Sequence, residues 1–231
     1  MVYYTGDMHG QISKIAIFIE RFQITAADTI VILGDAGLNY YGNDSGDKRV
    51  KRKLNDQGIA IFNIHGNHER RPGTLPYYHE TTWRGGAVYA KDAFPNLLFA
   101  KDGEIFDLDG RQSIVIGGAY SVDKYYRLLR GINWFEDEQP SETIKCRVET
   151  ALGRVGWKIE TVLSHTCPAK YIPTEAFLPG IDQIMVDRST EDWLDAIEDR
   201  LAYNQWLCGH WNIDKRIDKM HFLMNSFEII E

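Results

Sequence analysis

Three cysteines in 231 residues, Cys146, Cys167 and Cys208, are too few and too odd in number for a disulfide framework. Cys167 and Cys208 each stand two residues from a histidine, and the expectation is a small buried hydrophobe beside that histidine rather than a thiolate ligand. No apolar run reaches the roughly 18 residues a membrane span needs, and no leader-like stretch precedes the first motif at Asp7, so a cytoplasmic protein is expected. Positive charge is also in short supply, with 26 Lys and Arg against 33 Asp and Glu, a net charge of -7. Proteins that grip nucleic acid through its backbone need the opposite excess. Repeats, low-complexity tracts and linkers are absent as well, so residues 1–231 are expected to form a single domain.

What is present is a rhythm of short apolar runs and helix-like segments. Met1 to Thr5, Thr29 to Leu33 and Ile59 to Ile64 read as buried strands, with helices over Gln11 to Arg21 (Ile12, Ile15, Ala16 and Ile19 at helical spacing) and Asp47 to Gln57 between them. This βαβαβ order predicts parallel strands with covering helices. The second half gives short strands at Ala87 to Ala90, Leu97 to Ala100, Glu104 to Leu108, Ser113 to Ile116, Glu160 to Leu163, Gln205 to Cys208, Lys215 to Asp218 and His221 to Asn225. Helices are expected at Val122 to Arg130, Ser141 to Leu152 and Thr190 to Ala202, the last capped by Ser189 or Thr190. A loop broken by Pro168, Pro173 and Pro179 separates the last two. An α/β fold of two sheets packed face to face, with helices outside, accommodates this order.

Five of the apolar runs end alike. They lead into Gly6-Asp7-Met8-His9-Gly10, Gly34-Asp35, His65-Gly66-Asn67-His68-Glu69, Ser164-His165 and Gly209-His210. Ligands of open α/β sheets gather beyond the C-terminal ends of the strands, so these side chains can converge although they are far apart in sequence. Glycine at the sharp turn supplies free φ and leaves out a Cβ. Two carboxylates (Asp7, Asp35), one amide (Asn67) and three imidazoles (His9, His165, His210) form a mixed N/O set suited to Mn, Fe, Zn or similar divalent ions. Six ligands exceed one tetrahedral site and fit two ions that share a bridging carboxylate.

Asp7-Met8-His9, Gly34-Asp35, Gly66-Asn67-His68-Glu69, Ser164-His165 and Gly209-His210 together resemble the five blocks of the calcineurin-like metallophosphoesterase superfamily, in order, over residues 6 to 210. The resemblance implies a four-layer sandwich of two mixed β-sheets with helices outside, and dinuclear-metal hydrolysis of a phosphomonoester or phosphodiester. It assigns Asp7 and His9 to the first metal, Asp35 to both, and Asn67, His165 and His210 to the second. A water or hydroxide between the metals would attack phosphorus, and His68 would act as general acid on the leaving oxygen. Many relatives carry Gly-His-x-His where this chain has Gly209-His210-Trp211-Asn212, so either Asn212, through its carbonyl oxygen, or a water would complete the first metal. The protein phosphatase branch extends the second block with an Asp-Arg-Gly, whereas here Gly34-Asp35 continues as Ala36-Gly37-Leu38-Asn39, which points away from phosphoprotein and towards a small phosphorylated or nucleotide-type substrate. In that fold the loop after Ser113 to Ile116 borders the metals, making Tyr120, Lys124 and Arg127 candidate substrate contacts. The alternatives are a nuclease acting on nucleic-acid ends and a non-catalytic scaffold; His68 favours an enzyme. The basic run Lys48 to Lys53 reads as a solvated helix face. Trp134 to Pro140 reads either as a pocket wall or as a loop anchor. His79 and His221 read as ordinary surface or packing residues.

Overall fold

A computed structural model describes residues 1–230. Strands β1 (Val2–Thr5), β2 (Thr29–Ile32) and β3 (Ala60–Asn63) are parallel and form half of a six-stranded sheet. β6 (Leu97–Ala100) continues it in parallel, and β5 (Gly86–Ala90) and β4 (His79–Trp83) close it as an antiparallel edge. The second sheet runs in the order β11 (Lys215–Ile217), β12 (Met220–Phe222), β10 (Gln205–Cys208), β9 (Thr161–Ser164), β8 (Arg111–Ile116) and β7 (Ile105–Leu108). β8, β9, β10 and β12 are parallel there, with β7 and β11 antiparallel at the edges. Both sheets are mixed.

Alternation along each strand builds three apolar layers. Val2 and Tyr4, Val31 and Leu33, and Phe62 and Ile64 face the second sheet and meet Phe106, Val115, Leu163 and Leu207. Their neighbours Ile30, Ile32 and Ile61 face outward and pack on Ile15 and Phe18 of α1 (Ile12–Phe22) and on Leu54 of α2 (Asp44–Asn55). After β8 comes a short helix, α3 (Lys124–Arg130). Behind the second sheet, Ile114, Val162 and Trp206 pack on Val148 and Leu152 of α4 (Glu142–Arg154) and on Leu194 and Ile197 of α5 (Ser189–Glu198). Helix, sheet, sheet and helix are therefore the four layers expected. No helix among the described residues is long and apolar enough to cross a membrane.

Several sequence expectations shift. α2 begins three residues before Asp47, because the Asn43 side chain accepts a hydrogen bond from the Gly46 amide at 2.7 Å. α5 begins at Ser189 after Arg188, with no side-chain cap from Ser189 or Thr190. β4 was not expected: His-Glu-Thr-Thr-Trp has no apolar alternation, and it is an exposed edge strand held by backbone pairing to β5. The basic run is not wholly solvated. Lys51 is fully buried, its ammonium 5.0 Å from the Tyr77 ring centroid and 5.2 Å from that of Tyr78. Cys167 and Cys208 are buried and Cys146 is exposed, all as free thiols.

One buried ion pair joins the loops that leave the two sheets. The Arg71 guanidinium pairs with Asp102, and its Nε donates to the Asp137 carbonyl at 2.8 Å. The other Asp102 oxygen accepts from the Gly117 amide at 2.5 Å. Removing one member leaves the other charge buried alone. Asp102→Ala is therefore expected to lower the unfolding free energy by about 3–5 kcal/mol, read as a shift of the denaturant midpoint. A loss below about 1 kcal/mol would show that the pair does not hold these loops.

Candidate metal centre

The five ligand-bearing turns leave the C-terminal ends of β1, β2, β3, β9 and β10, all on one side of the molecule. The glycines there serve mainly as space. A Cβ on Gly66 would overlap the Asp35 carboxylate, one on Gly209 the Asp7 carboxylate, and one on Gly6 the Leu223 carbonyl. Gly10, at φ +72°, and Gly34, at φ +96°, need glycine's conformational freedom as well, and a Cβ on Gly34 would overlap the His165 ring. The left-handed backbone expected of the glycines is carried instead by the ligand candidates: His9 (φ +45°), Asp35 (+49°), His210 (+66°) and Asn212 (+52°). Such conformations cost on the order of 1–3 kcal/mol each and persist where the surroundings over-determine them. Here the His9 and Met8 amides both donate to the Asp35 carbonyl, at 2.7 and 3.1 Å, locking the first two turns together. A Gly66→Ala variant is expected to keep its circular-dichroism spectrum but to lose metal uptake, because the added methyl displaces Asp35. Unchanged metal content would show that the close approach is incidental.

Backbone amides aim both carboxylates. Asp7 Oδ1 accepts from the His210 amide at 2.9 Å, and Asp35 Oδ1 accepts from the His68 amide at 2.8 Å. Asp7 Oδ2 then lies 3.8 Å from His9 Nε2, and Asp35 Oδ2 lies 4.0 Å from His9 Nδ1. On its other side, Asp35 Oδ1 lies 3.8 Å from His165 Nε2. Asp35 thus stands between two donor groups, one of Asp7 and His9, the other of Asn67, His165 and His210.

The second group contains converging lone pairs. The His165 Nδ1 faces the Leu33 carbonyl at 2.8 Å, which can only accept, so in the neutral ring Nε2 is unprotonated. The Asn67 amide nitrogen donates to Ser121 Oγ at 2.8 Å, which turns Oδ1 inward. That Oδ1 sits 2.8 Å from His165 Nε2 and 3.1 Å from His210 Nδ1. An acceptor facing the unprotonated Nε2 of His165 in a buried site is relieved by a positive charge between them. Electrostatics agree. Burial, and then Asp7, push the Asp35 carboxyl well above its usual range, while burial lowers the imidazoles of His9 and His210. The site resists the anionic form of Asp35 and keeps His9 and His210 neutral, and a bound cation reverses the first effect while using the second. The residues fit divalent metal.

His68 sits differently. Its Nδ1 receives the Arg127 guanidinium, so the hydrogen of the neutral ring is on Nε2, which faces Asp35 Oδ2 at 3.9 Å. His9, Asp35 and His68 present donor atoms within 4.8 Å of one another, yet this tautomer makes His68 a hydrogen-bond donor to the centre. Burial first, then Arg127 and His9, pull its pKa down to about 3.

The remaining candidates divide. Tyr120 is buried and lines the cavity over the centre; Asn212 is exposed and lines the same cavity beside His210. Lys124 instead stacks its ammonium 4.1 Å from the Trp134 ring. Trp134 itself donates to Glu138 at 2.7 Å, so Trp134 to Pro140 is anchored as a loop. Arg127 is spent on protein groups, donating to Asp123 Oδ2 at 2.8 Å and to the Asn133 carbonyl at 3.2 Å besides His68. Three supporting residues were given no such role from the sequence, although Ser121 lies in the loop expected to border the metals. Ser121 fixes the Asn67 amide, Asp123 holds Arg127, and Lys14 binds the carbonyls of Gly6, Asp7 and Met224. None stands in a motif. Lys14 could be expected only as an outward residue of α1.

The family model described as calcineurin-like phosphoesterase matches residues 1–213. No curated protein matches in sequence. Among solved structures, one is 14% identical and covers 96% of this chain and 88% of its own, at a TM-score of 0.51, a likeness of fold. A phosphopantetheinyl hydrolase from Mycobacterium tuberculosis (14% identity, 96% and 87% covered, TM-score 0.43) is more distantly similar. So is a protein from Thermus thermophilus (14%, 90% and 80%, TM-score 0.48).

Proposed function

Because the chain belongs to the calcineurin-like phosphoesterase family and is a metal-dependent phosphoesterase, we propose that it hydrolyses a small phosphomonoester or phosphodiester at a two-ion centre. Asp7, His9 and Asp35 would hold one ion, and Asp35, Asn67, His165 and His210 the other, with Asn212 as an additional oxygen donor to the first. When bound, the ions neutralise phosphoryl oxygens and acidify water. The observation that carries the reading is the meeting of Asn67 Oδ1, His165 Nε2 and His210 Nδ1 on one side of Asp35.

The protein's own groups then have separate tasks. The His68 and His210 amides hold Asp35 and Asp7 in place through Oδ1. The His165 ring is fixed by the Leu33 carbonyl and the Asn67 amide by Ser121, so neither has to reorganise as charge develops. His68 directs its Nε2 hydrogen at the leaving oxygen. Arg127, anchored by Asp123, sets that tautomer and acts through His68. His68 is neutral in the free protein; to give up its Nε2 hydrogen as an acid it must first take a proton on Nδ1, which requires Arg127 to leave that atom, and an arriving phosphate dianion, attracting both cations, favours both changes.

The test is reconstitution of metal-free protein with Mn²⁺, Fe²⁺ or Zn²⁺, followed by assay against phosphomonoesters, phosphodiesters, nucleotides and oligonucleotides. Hydrolysis of small esters with at least one ion is expected. Failure with every ion and every ester would refute the reading and favour a scaffold.

A further inference from the structure

The metal centre forms one side of a cavity of about 430 Å³, within the roughly 300–1,000 Å³ of small-ligand pockets. The opposite side comes from the connection between β9 and α5, which starts at the ligand His165. That connection is organised by three short 3-10 turns, Ala169–Tyr171, Thr174–Ala176 and Gln183–Met185. Long connections of this kind in compact domains commonly serve binding. Its Ile172, Phe177, Ile181 and Val186 face the cavity together with Trp211 and Ile213, which follow the ligand His210. The Phe177 and Trp211 rings lie 6.3 Å apart at 37°, and Trp211 meets the His210 ring edge-on at 5.1 Å. The apolar wall therefore begins one residue from a metal ligand.

The charged groups on this wall do not suit an anionic polymer. Glu175, Asp187 and Glu191 outnumber Arg188. Glu175 pairs with Lys215, Glu191 accepts from Thr166 Oγ1 at 2.7 Å, Asp187 accepts from Gln139 at 3.0 Å, and Arg188 reaches Gln183 at 3.4 Å. Among the described residues no row of cations lies along the wall to follow a phosphate backbone, as nucleic-acid binding requires. An uncharged group carrying a ring would bury its faces against Phe177, Trp211 and the aliphatic side chains, the contact in which aromatic groups gain most.

We propose that this half of the cavity binds the non-phosphoryl part of the substrate, and that this part is an uncharged, ring-bearing apolar group. The substrate class is then the phosphate ester of a small hydrophobic or aromatic alcohol, not a nucleic-acid end or a phosphoprotein. The proposal rests on the phosphoesterase reading for the position of the phosphoryl group, and it adds what the rest of the substrate is.

The test uses metal-reconstituted protein and monoesters of primary alcohols of similar basicity: ethyl, butyl, 2-phenylethyl and 2-(naphthyl)ethyl phosphate. A 5′-nucleotide and a phosphoserine peptide are run beside them. From ethyl to 2-phenylethyl, kcat/KM is expected to rise on the order of 10–10²-fold, the range a hydrophobic pocket supplies. In Phe177→Ala that ratio should fall towards one. A flat series, a preference for the nucleotide or the peptide, or an unchanged ratio in Phe177→Ala would overturn the proposal. Calorimetric binding of 2-phenylethylphosphonate against ethylphosphonate separates the two readings, since it needs no turnover. Tighter binding of the phenyl compound without hydrolysis of any ester supports the pocket and rejects the hydrolytic reading. Equal binding, or none, rejects the pocket even where simple esters are hydrolysed.

Discussion

Asp35→Asn is expected to lose bound metal and hydrolysis together, on every substrate and regardless of leaving group. An asparagine can offer the His68 amide the same acceptor, so its NH₂ is left facing His9, where the native carboxylate offers Oδ2 at 4.0 Å from His9 Nδ1. A donor would then replace the second oxygen that Asp35 would offer to the proposed ions. If the lost ion contributes about 4 kcal/mol of transition-state stabilisation, at roughly 1.4 kcal/mol per tenfold the rate falls on the order of 10³-fold or more. Misfolding is a poor rival explanation. Burial raises the Asp35 pKa in the metal-free fold, so its charged form opposes folding above the pKa of the unfolded chain, and stability falls as pH rises through that range. Removing the charge relieves this at neutral pH, and the metal-free variant should melt no lower than the metal-free wild type. Full activity in Asp35→Asn would reject the two-ion centre.

His68→Ala should behave in the opposite way. Its Nδ1 is committed to Arg127 and its Nε2 carries a hydrogen, so both ions should remain bound. Hydrolysis of alkyl esters, whose alkoxides leave poorly without a proton, is expected to drop on the order of 10²–10⁴-fold. Nitrophenyl esters should lose much less, because nitrophenolate leaves unprotonated. Equal losses on both classes would reject proton donation from His68, and loss of an ion would make it a ligand.

The cluster of candidate ligands was legible because each stands just past a strand that is largely buried on both faces, and buried parallel strands read as near-continuous apolar runs. Those strands were expected within a residue or two of where they run. What was not legible depends on three-dimensional company. β4 pairs by its backbone and carries no apolar pattern. Lys51 sits in a basic run yet is buried against Tyr77 and Tyr78, which lie far along the chain. Arg127 reads from sequence as a substrate cation, while in the fold Asp123 and Asn133 direct it onto His68. The glycines were foreseen at the right places, but the backbone freedom assigned to them belongs mostly to His9, Asp35 and His210. The apolar wall of the cavity was hidden in a proline-broken loop, because its side chains follow no period.

The most direct measurement is anomalous diffraction from crystals of catalytically active protein saturated with Mn²⁺. The account predicts two peaks flanking Asp35, one among Asp7, His9 and Asp35, the other among Asp35, Asn67, His165 and His210. A single peak, or ions elsewhere in the molecule, would contradict it.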